Sequence, residues 1–306
     1  MSHPATNHGM QIRRDVPDGE ALVGHGTPQA RLRPLLLDIY LPTRPATAPR
    51  PAVLLSHGGA YHRGSKETDE FDQEGVRNTP VPAYCRHLAA RGDLAASIGY
   101  RLTQELPGPP PTPILQHRGG VPRGRIDHVR GLLGLPPASD DELRDGVEAV
   151  ILDVAQACRF VQANAARWGI DAQRIAIGGF SAGAFASVYA AYALGVPAAA
   201  VISLSGGIDA RDAAHDLKAG TGKPPALMVS SEHDLPGIHD RTMALADRSA
   251  TVGLPLRRYH VPDRPHFYDR DSAALLGSDS LGGAAAATTV GAAIDSFLDH
   301  CLHHPA

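Results

Sequence analysis

The run Arg174-Ile175-Ala176-Ile177-Gly178 passes directly into Gly179-Phe180-Ser181-Ala182-Gly183 and then into small residues as far as Leu194. This stretch restricts the fold more tightly than any other. A short apolar run rich in isoleucine reads as a buried strand, and the small-residue stretch from Ala182 to Leu194 as a helix. Ser181 therefore sits at a sharp strand-to-helix turn, the setting of a nucleophile elbow. Glycines two residues to either side relieve the crowding that such a turn creates. The helix N-terminus at Ala182 aims its N–H groups, and the positive end of its dipole, at a nearby anion.

The remaining chain repeats the alternation of strand and helix. Leu35–Leu41 reads as a strand closed by Pro42, and Ala52-Val53-Leu54-Leu55-Ser56 as a second one that ends in His57-Gly58-Gly59-Ala60-Tyr61. Continuous apolar runs of this kind suit strands covered on both faces. Residues 82–91 read as a helix and 95–100 as the next strand. A long helix starts at Ser139, with Asp140, Asp141 and Glu142 in its first turn. Its apolar stripe is Val147, Val150, Ile151, Val154, Cys158, Val161 and Ala165. Strands are expected at 200–204, 226–230 and 256–261, and helices near 237–249 and 283–301. This order predicts an α/β fold, a mostly parallel sheet between layers of helices. One domain over residues 1–306 is expected, with a loosely ordered segment at 1–30. The Pro- and Gly-rich stretch 103–140 has too many breakers for core elements and reads as an inserted lid or cap.

Composition narrows the function. A formal net charge of -3 gives no electrostatic case for nucleic acid or an anionic membrane. Cys85, Cys158 and Cys301 are too scattered for a disulfide framework or a zinc site. No stretch reaches the roughly 20 apolar residues that span a bilayer, and the N-terminus lacks a signal-peptide core. A cytoplasmic protein is expected, and the abundance of alanine and arginine over lysine suggests a bacterial source. No dinucleotide or Walker motif calls for a cofactor. The acidic run Glu67, Asp69, Glu70, Asp72 and Glu74 reads as a solvated loop rather than a metal site, and Arg118, Arg123, Arg125 and Arg130 as surface arginines rather than an anion site.

Three further segments join Ser181. Glycines in His57-Gly58-Gly59 allow main-chain N–H groups to approach a developing oxyanion, so Gly58, Gly59 and Ala182 are the expected donors, with Ala60 as a substitute. His57 is expected to brace that turn. Asp234 and Glu232 follow the 226–230 strand and compete for the carboxylate role, and the loop spacing with Pro236 favours Asp234. His233, next to Asp234, reads as a loop histidine. His260 lies within a strand, whereas His266 lies in the loop beyond it, at the sheet edge from which an imidazole can reach the serine. Phe267 is expected to pack behind its ring. The chain order Ser181, Asp234, His266 is that of a serine–acid–histidine triad on an α/β sheet.

The chain resembles the α/β-hydrolase superfamily, through LDIYLP, HGGAY with GSK, GYRL, GIDAQRIAIGGFSAG, the acid after VSSEH, and RPHF. Within it the similarity is to bacterial esterases of the hormone-sensitive-lipase and feruloyl-esterase or kynurenine-formamidase-like groups. The resemblance spans about residues 32–300 apart from the insertion. It implies a serine hydrolase that cleaves a small or medium carboxylic ester through an acyl-enzyme, with no cofactor or metal and compatible with a homo-oligomer. Amidase or lactone hydrolysis, a lyase or acyl transferase, and a non-catalytic binding protein are the alternatives. Three departures stand out: HGGA replaces HGGG, the insertion follows GYRL, and the 206–224 segment is short. The pocket roof is therefore expected from residues 62–80 and 103–140.

Overall fold

The computed structural model describes residues 6–7, 9–73, 75–116, 121 and 123–303. The first half comprises β1 (Thr6–Asn7), β2 (Met10–Val23), β3 (Arg31–Pro42), β4 (Arg50–Ser56), β5 (Asp72–Gln73), β6 (Val76–Arg77), α1 (Val81–Arg91) and β7 (Leu94–Ile98). Then come α2 (Arg123–Leu132), α3 (Asp140–Ala163), α4 (Ala165–Trp168), β8 (Ile170–Phe180), α5 (Ala182–Tyr192) and β9 (Ala200–Leu204). The last part holds α6 (Ala210–Asp216), β10 (Ala226–Ser231), α7 (Ile238–Val252), β11 (Leu256–Val261), β12 (Ala273–Asp279), β13 (Ala287–Thr289) and α8 (Val290–Leu298).

An 11-stranded sheet in the order β1-β2-β3-β7-β4-β8-β9-β10-β11-β12-β13 runs through the molecule. Its centre, from β7 to β11, is parallel. Antiparallel strands close both ends. The residues of β4, β9 and β10 beyond Arg50 are all buried, which is why they read as unbroken apolar runs. Alternate side chains leave the sheet on opposite faces. Ala52 and Leu54 join one core with the apolar stripe of α3, with α5 and with Leu245 of α7. Val53 and Leu55 join a second core with Cys85 and Leu88 of α1 and Ile294 and Phe297 of α8. Each fully buried Leu or Ile contributes about 1.5–3 kcal/mol, so both faces are anchored. The start of α3 is defined by a reciprocal capping box between Ser139 and Glu142, an arrangement that stabilises a helix by about 1 kcal/mol.

Three expectations are corrected. Residues 10–23, expected to be loose with the rest of 1–30, form β2, paired with β3 from Met10 opposite Pro42 to Val23 opposite Arg31. Pro17 and Gly19 are accommodated there because the register shifts between Arg13 and Val16 and again between Pro17 and Gly19. The helix expected over 283–301 begins only at Val290, and β13 precedes it, pairing with β12 at the sheet's edge. Finally, the 103–140 stretch supplies core: Ile114, Leu115, Ile126 and Val129 are buried in the α3–α5 cluster. Its first part is pinned to α3 by the buried Glu148 carboxylate, which accepts from the Ile114 and Leu115 N–H groups at 2.8 Å each.

Candidate active site

Ser181, Ser205, Asp234, His266 and the His57–Tyr61 turn all follow the carboxyl ends of β8, β9, β10, β11 and β4, so they gather at one edge of the parallel sheet. This is the edge where open α/β sheets bind ligands. At the turn from β8 into α5, Ser181 takes φ +52°, ψ −115°, a strained conformation for a residue with a side chain. Hydrogen bonds hold it there: its N–H donates to Leu204 O at 2.8 Å, and its carbonyl accepts from Phe185 N at 3.0 Å. The flanking glycines leave no room for anything larger. A β carbon at Gly179 would lie 2.7 Å from the Gly183 carbonyl carbon, and one at Gly183 would overlap the Ser56 carbonyl.

His266 Nε2 lies 2.9 Å from Ser181 Oγ, and its Nδ1 lies 2.5 Å from Asp234 Oδ1. An ionised carboxylate only accepts, so Nδ1 carries a proton and Nε2 is left to accept from the serine hydroxyl. The His266 and Asp234 side chains are 2% and 1% exposed, so water competes little for this line. Asp234 is itself fixed by three donors. Leu235 N donates to Oδ1 at 2.8 Å, and Ser205 Oγ and Ser231 N donate to Oδ2 at 2.6 and 3.3 Å. The Tyr268 hydroxyl donates to Val229 O and lies 3.1 Å from Ser205 Oγ, under the carboxylate. Phe267 and Phe180 flank the imidazole, with ring centroids 5.2 and 5.3 Å away.

The rival candidates are occupied elsewhere. Glu232 is exposed and accepts from Asp263 N at 2.9 Å, exposed His233 donates its N–H to Arg264 O, and His260 is held in β11 opposite Leu275 of β12. Ser205 and Tyr268 were not singled out from the sequence. Ser205 stands immediately after an apolar strand, as Ser181 does, and that position is the one signal it carries. Tyr268 carries none beyond its place beside His266.

The His57–Tyr61 turn differs from expectation. Its Gly58 N–H donates to Asp69 Oδ2 at 3.1 Å, so this amide is taken up by a side chain and is not free for an oxyanion. Asp69 is buried, not part of a solvated acidic loop, and its Oδ1 also accepts from Val81 N at 2.7 Å. Burial pushes its carboxyl up to about 6. Glu74, from the same acidic run, lies outside the described residues. The N–H groups of Gly59, Ala60 and Ala182 meet no acceptor among the described residues. Ala60 and Ala182 line one cleft together with Ser181. Gly59, Ala60 and Tyr61 all have positive φ, at +118°, +53° and +63°. A β carbon at Gly59 would overlap the Arg63 carbonyl oxygen. His57 braces this turn: it is buried, stacks on Tyr100 at 3.9 Å, and its carbonyl accepts from the Tyr100 hydroxyl at 2.8 Å. Burial also pushes its imidazole down to about 4, so it stays neutral.

The cleft over Ser181 is walled by Tyr61, Ile126 and Phe185, with Leu235 and Ile238 opposite. It opens into a hollow of about 650 Å³ that includes Gln73, Val121 and Arg125. Thus α2, within 103–140, and Gln73, within 62–80, line the site, and the 235–241 segment, which the sequence did not suggest, lines it too. Of the four insertion arginines, Arg123 pairs with Asp127 and Asp140. Arg130 is buried on Pro136 O and His62. Arg118 lies outside the described residues, and Arg125 faces the cleft.

The chain has the α/β-hydrolase fold. The BD-FAE family model matches residues 144–198, the segment from α3 through the elbow and α5. Among solved structures, native esterase Est2 of the planctomycete Thermogutta terrifontis is 18% identical, covering 76% of this chain and 79% of its own, with a TM-score of 0.53. The same esterase phosphoramylated by tabun is 16% identical over 87% of this chain and 88% of its own, with a TM-score of 0.55. MGS-M1, an α/β-hydrolase enzyme from a Medee basin deep-sea metagenome library, is 14% identical over 84% of both chains, with a TM-score of 0.50. No curated protein matches the sequence. Among the described residues, no helix is long and apolar enough to cross a membrane.

Proposed function

We propose that the protein is a serine hydrolase that cleaves carboxylic esters of small or medium acyl groups through an acyl-enzyme. The observation that carries this reading is the buried line from Ser181 Oγ through the His266 ring to Asp234, with contacts of 2.9 and 2.5 Å. Ser181 attacks the acyl carbonyl while His266 takes its proton as general base. The imidazolium so formed is stabilised by Asp234, and His266 then returns the proton to the leaving alcohol. Water, activated by the same imidazole, releases the acid. The oxyanion is received by Ala182 N–H and, from the His57–Tyr61 turn, by Gly59 or Ala60 N–H in place of Gly58. The family-model match and the esterase neighbours agree with this chemistry. Three free cysteines, two of them buried, fit a reducing compartment such as the cytoplasm.

A fluorophosphonate probe followed by mass spectrometry, with turnover of short p-nitrophenyl esters, tests the reading. Ser181 should carry the adduct, and Ser181→Ala should lower kcat by about 10⁴-fold or more. Labelling without hydrolysis of esters, amides or lactones would point to a transferase or lyase. No labelling at all would leave a binding protein.

A further inference from the structure

Arg125 projects from α2 into the cleft that holds Ser181 and also lines the larger hollow beyond it. Its guanidinium carbon lies 6.0 Å from the centroid of Phe267, whose ring stands 5.2 Å from that of His266. The Arg63 guanidinium covers Phe71 at 4.3 Å, and the Phe71 ring lies 5.9 Å from that of Phe267. Neither arginine has a carboxylate partner among the described residues, and Arg63 Nε is buried without any hydrogen bond. Among the described residues, no Asp or Glu lines either hollow. Two other buried arginines are neutralised by carboxylates, Arg101 by Asp153 and Arg257 by Asp279, and the exposed Arg123, on the same helix, pairs with Asp127 and Asp140, whereas buried Arg130 is held by Pro136 O and His62.

Two like charges over the adjoining Phe71 and Phe267 rings, with no carboxylate among the described residues to pair them, repel one another. Burial and the neighbouring Arg63 both push the Arg125 guanidinium below its ordinary value. An anion entering the cleft would relieve that repulsion, and a planar guanidinium binds carboxylate or phosphate oxygens through two parallel hydrogen bonds.

Resting on the hydrolase reading above, we propose that the site selects esters carrying a negative charge a few bonds from the scissile carbonyl, with Arg125 receiving the anion and the nearby Arg63 adding to the positive potential there. The charge belongs either to the acyl part, as in a half-ester of a dicarboxylic acid, or to the alcohol part, as in the acyl ester of a hydroxy acid.

Paired substrates of matched length test this. One pair is mono-p-nitrophenyl glutarate and its methyl ester, and the other is O-acetyl-3-hydroxybutyrate and its methyl ester, each corrected for spontaneous hydrolysis. For the wild type, kcat/KM for the charged member of one pair should exceed that of its neutral partner by about 10- to 100-fold, mainly through KM. Which pair shows it identifies the charged part. Arg125→Gln should erase at least tenfold of that preference while affecting the neutral ester far less. Arg125→Lys should restore part of it, and added salt should weaken it. Equal rates for charged and neutral esters in both pairs overturn the proposal, as does a preference that survives Arg125→Gln and Arg63→Gln. Calorimetry with Ser181→Ala separates this outcome from failure of the hydrolase reading. Charge-selective binding without turnover by the wild type would sink ester hydrolysis and keep the anion site, whereas unselective turnover would do the reverse.

Discussion

The two sides of Ser181 are built on different principles. On one side, His266 and Asp234 form a line in which every polar atom has a partner, and Ser205, Ser231 and Leu235 hold the carboxylate from three directions. On the other, the His57–Tyr61 turn strings together three positive-φ residues, and a buried acid draws one of its glycine amides away from the serine. The first side is positioned by side-chain hydrogen bonds, the second by backbone strain and close packing. Side-chain alignment is expected to fail in activity first, and a strained turn in stability first.

The largest effect should come from the aligned side. Asp234→Asn keeps the shape but offers the imidazole the wrong partner, so kcat for ester hydrolysis should fall on the order of 10⁴-fold with little change in melting temperature. A loss below tenfold would mean that Asp234 does not orient His266. On the strained side, Gly59→Ala should destabilise the fold by more than about 3 kcal/mol or prevent folding, as judged by urea unfolding. Its β carbon would overlap the Arg63 carbonyl at a φ of +118°. Gly58→Ala is the informative contrast, because the nearest atom to a β carbon there is the Phe180 ring edge at 3.0 Å, with the Phe180 carbonyl oxygen at 3.4 Å. Its stability loss should stay within about 1–2 kcal/mol. Equal losses for the two variants would break the distinction between the two glycines.

The last test concerns Asp69 and appears only as a pH dependence. Its folded-state carboxyl is raised to about 6 by burial, against about 3.9 in an unfolded chain. The folded state therefore binds more protons between these values. The stabilising contribution is complete below about pH 4 and is lost as pH rises through 6, a change of about 3 kcal/mol at most. Asp69→Asn should flatten the stability profile between pH 4 and 6, measured by denaturant midpoints. An unchanged slope would show that another group titrates there.

The elbow was legible because its requirements are local: a buried strand, a serine on a tight turn and glycines where neighbouring backbone leaves no room for a β carbon. Asp234 and His266 were legible through their position past parallel strands, which all end at one edge of the sheet. Gly58 shows the limit of that logic. Two adjacent glycines look alike in sequence, yet Asp69 engages one amide and the next meets no acceptor among the described residues. Arg125 is a second case, since of the insertion's described arginines, Arg123, Arg125 and Arg130, only tertiary packing brings Arg125 to the cleft over the serine. Strand β2 was missed because Pro17 and Gly19 are breakers until bulges at a sheet end accommodate them. The 283–289 stretch was missed because alanine favours helix, and pairing with β12 overrides that weak preference.

By itself, the sequence determined the order of the central parallel strands and the helices between them, the conformation demanded of Ser181 and the edge of the sheet where chemistry gathers. Hydrophobic periodicity and glycine sterics act over a few residues, so they are written locally. Which amide stays free, which arginine lacks a counter-ion and what grips the Asp234 carboxylate were decided only in the folded chain. Those are contests among groups far apart in sequence, settled by the few ångströms that separate them once the sheet has formed.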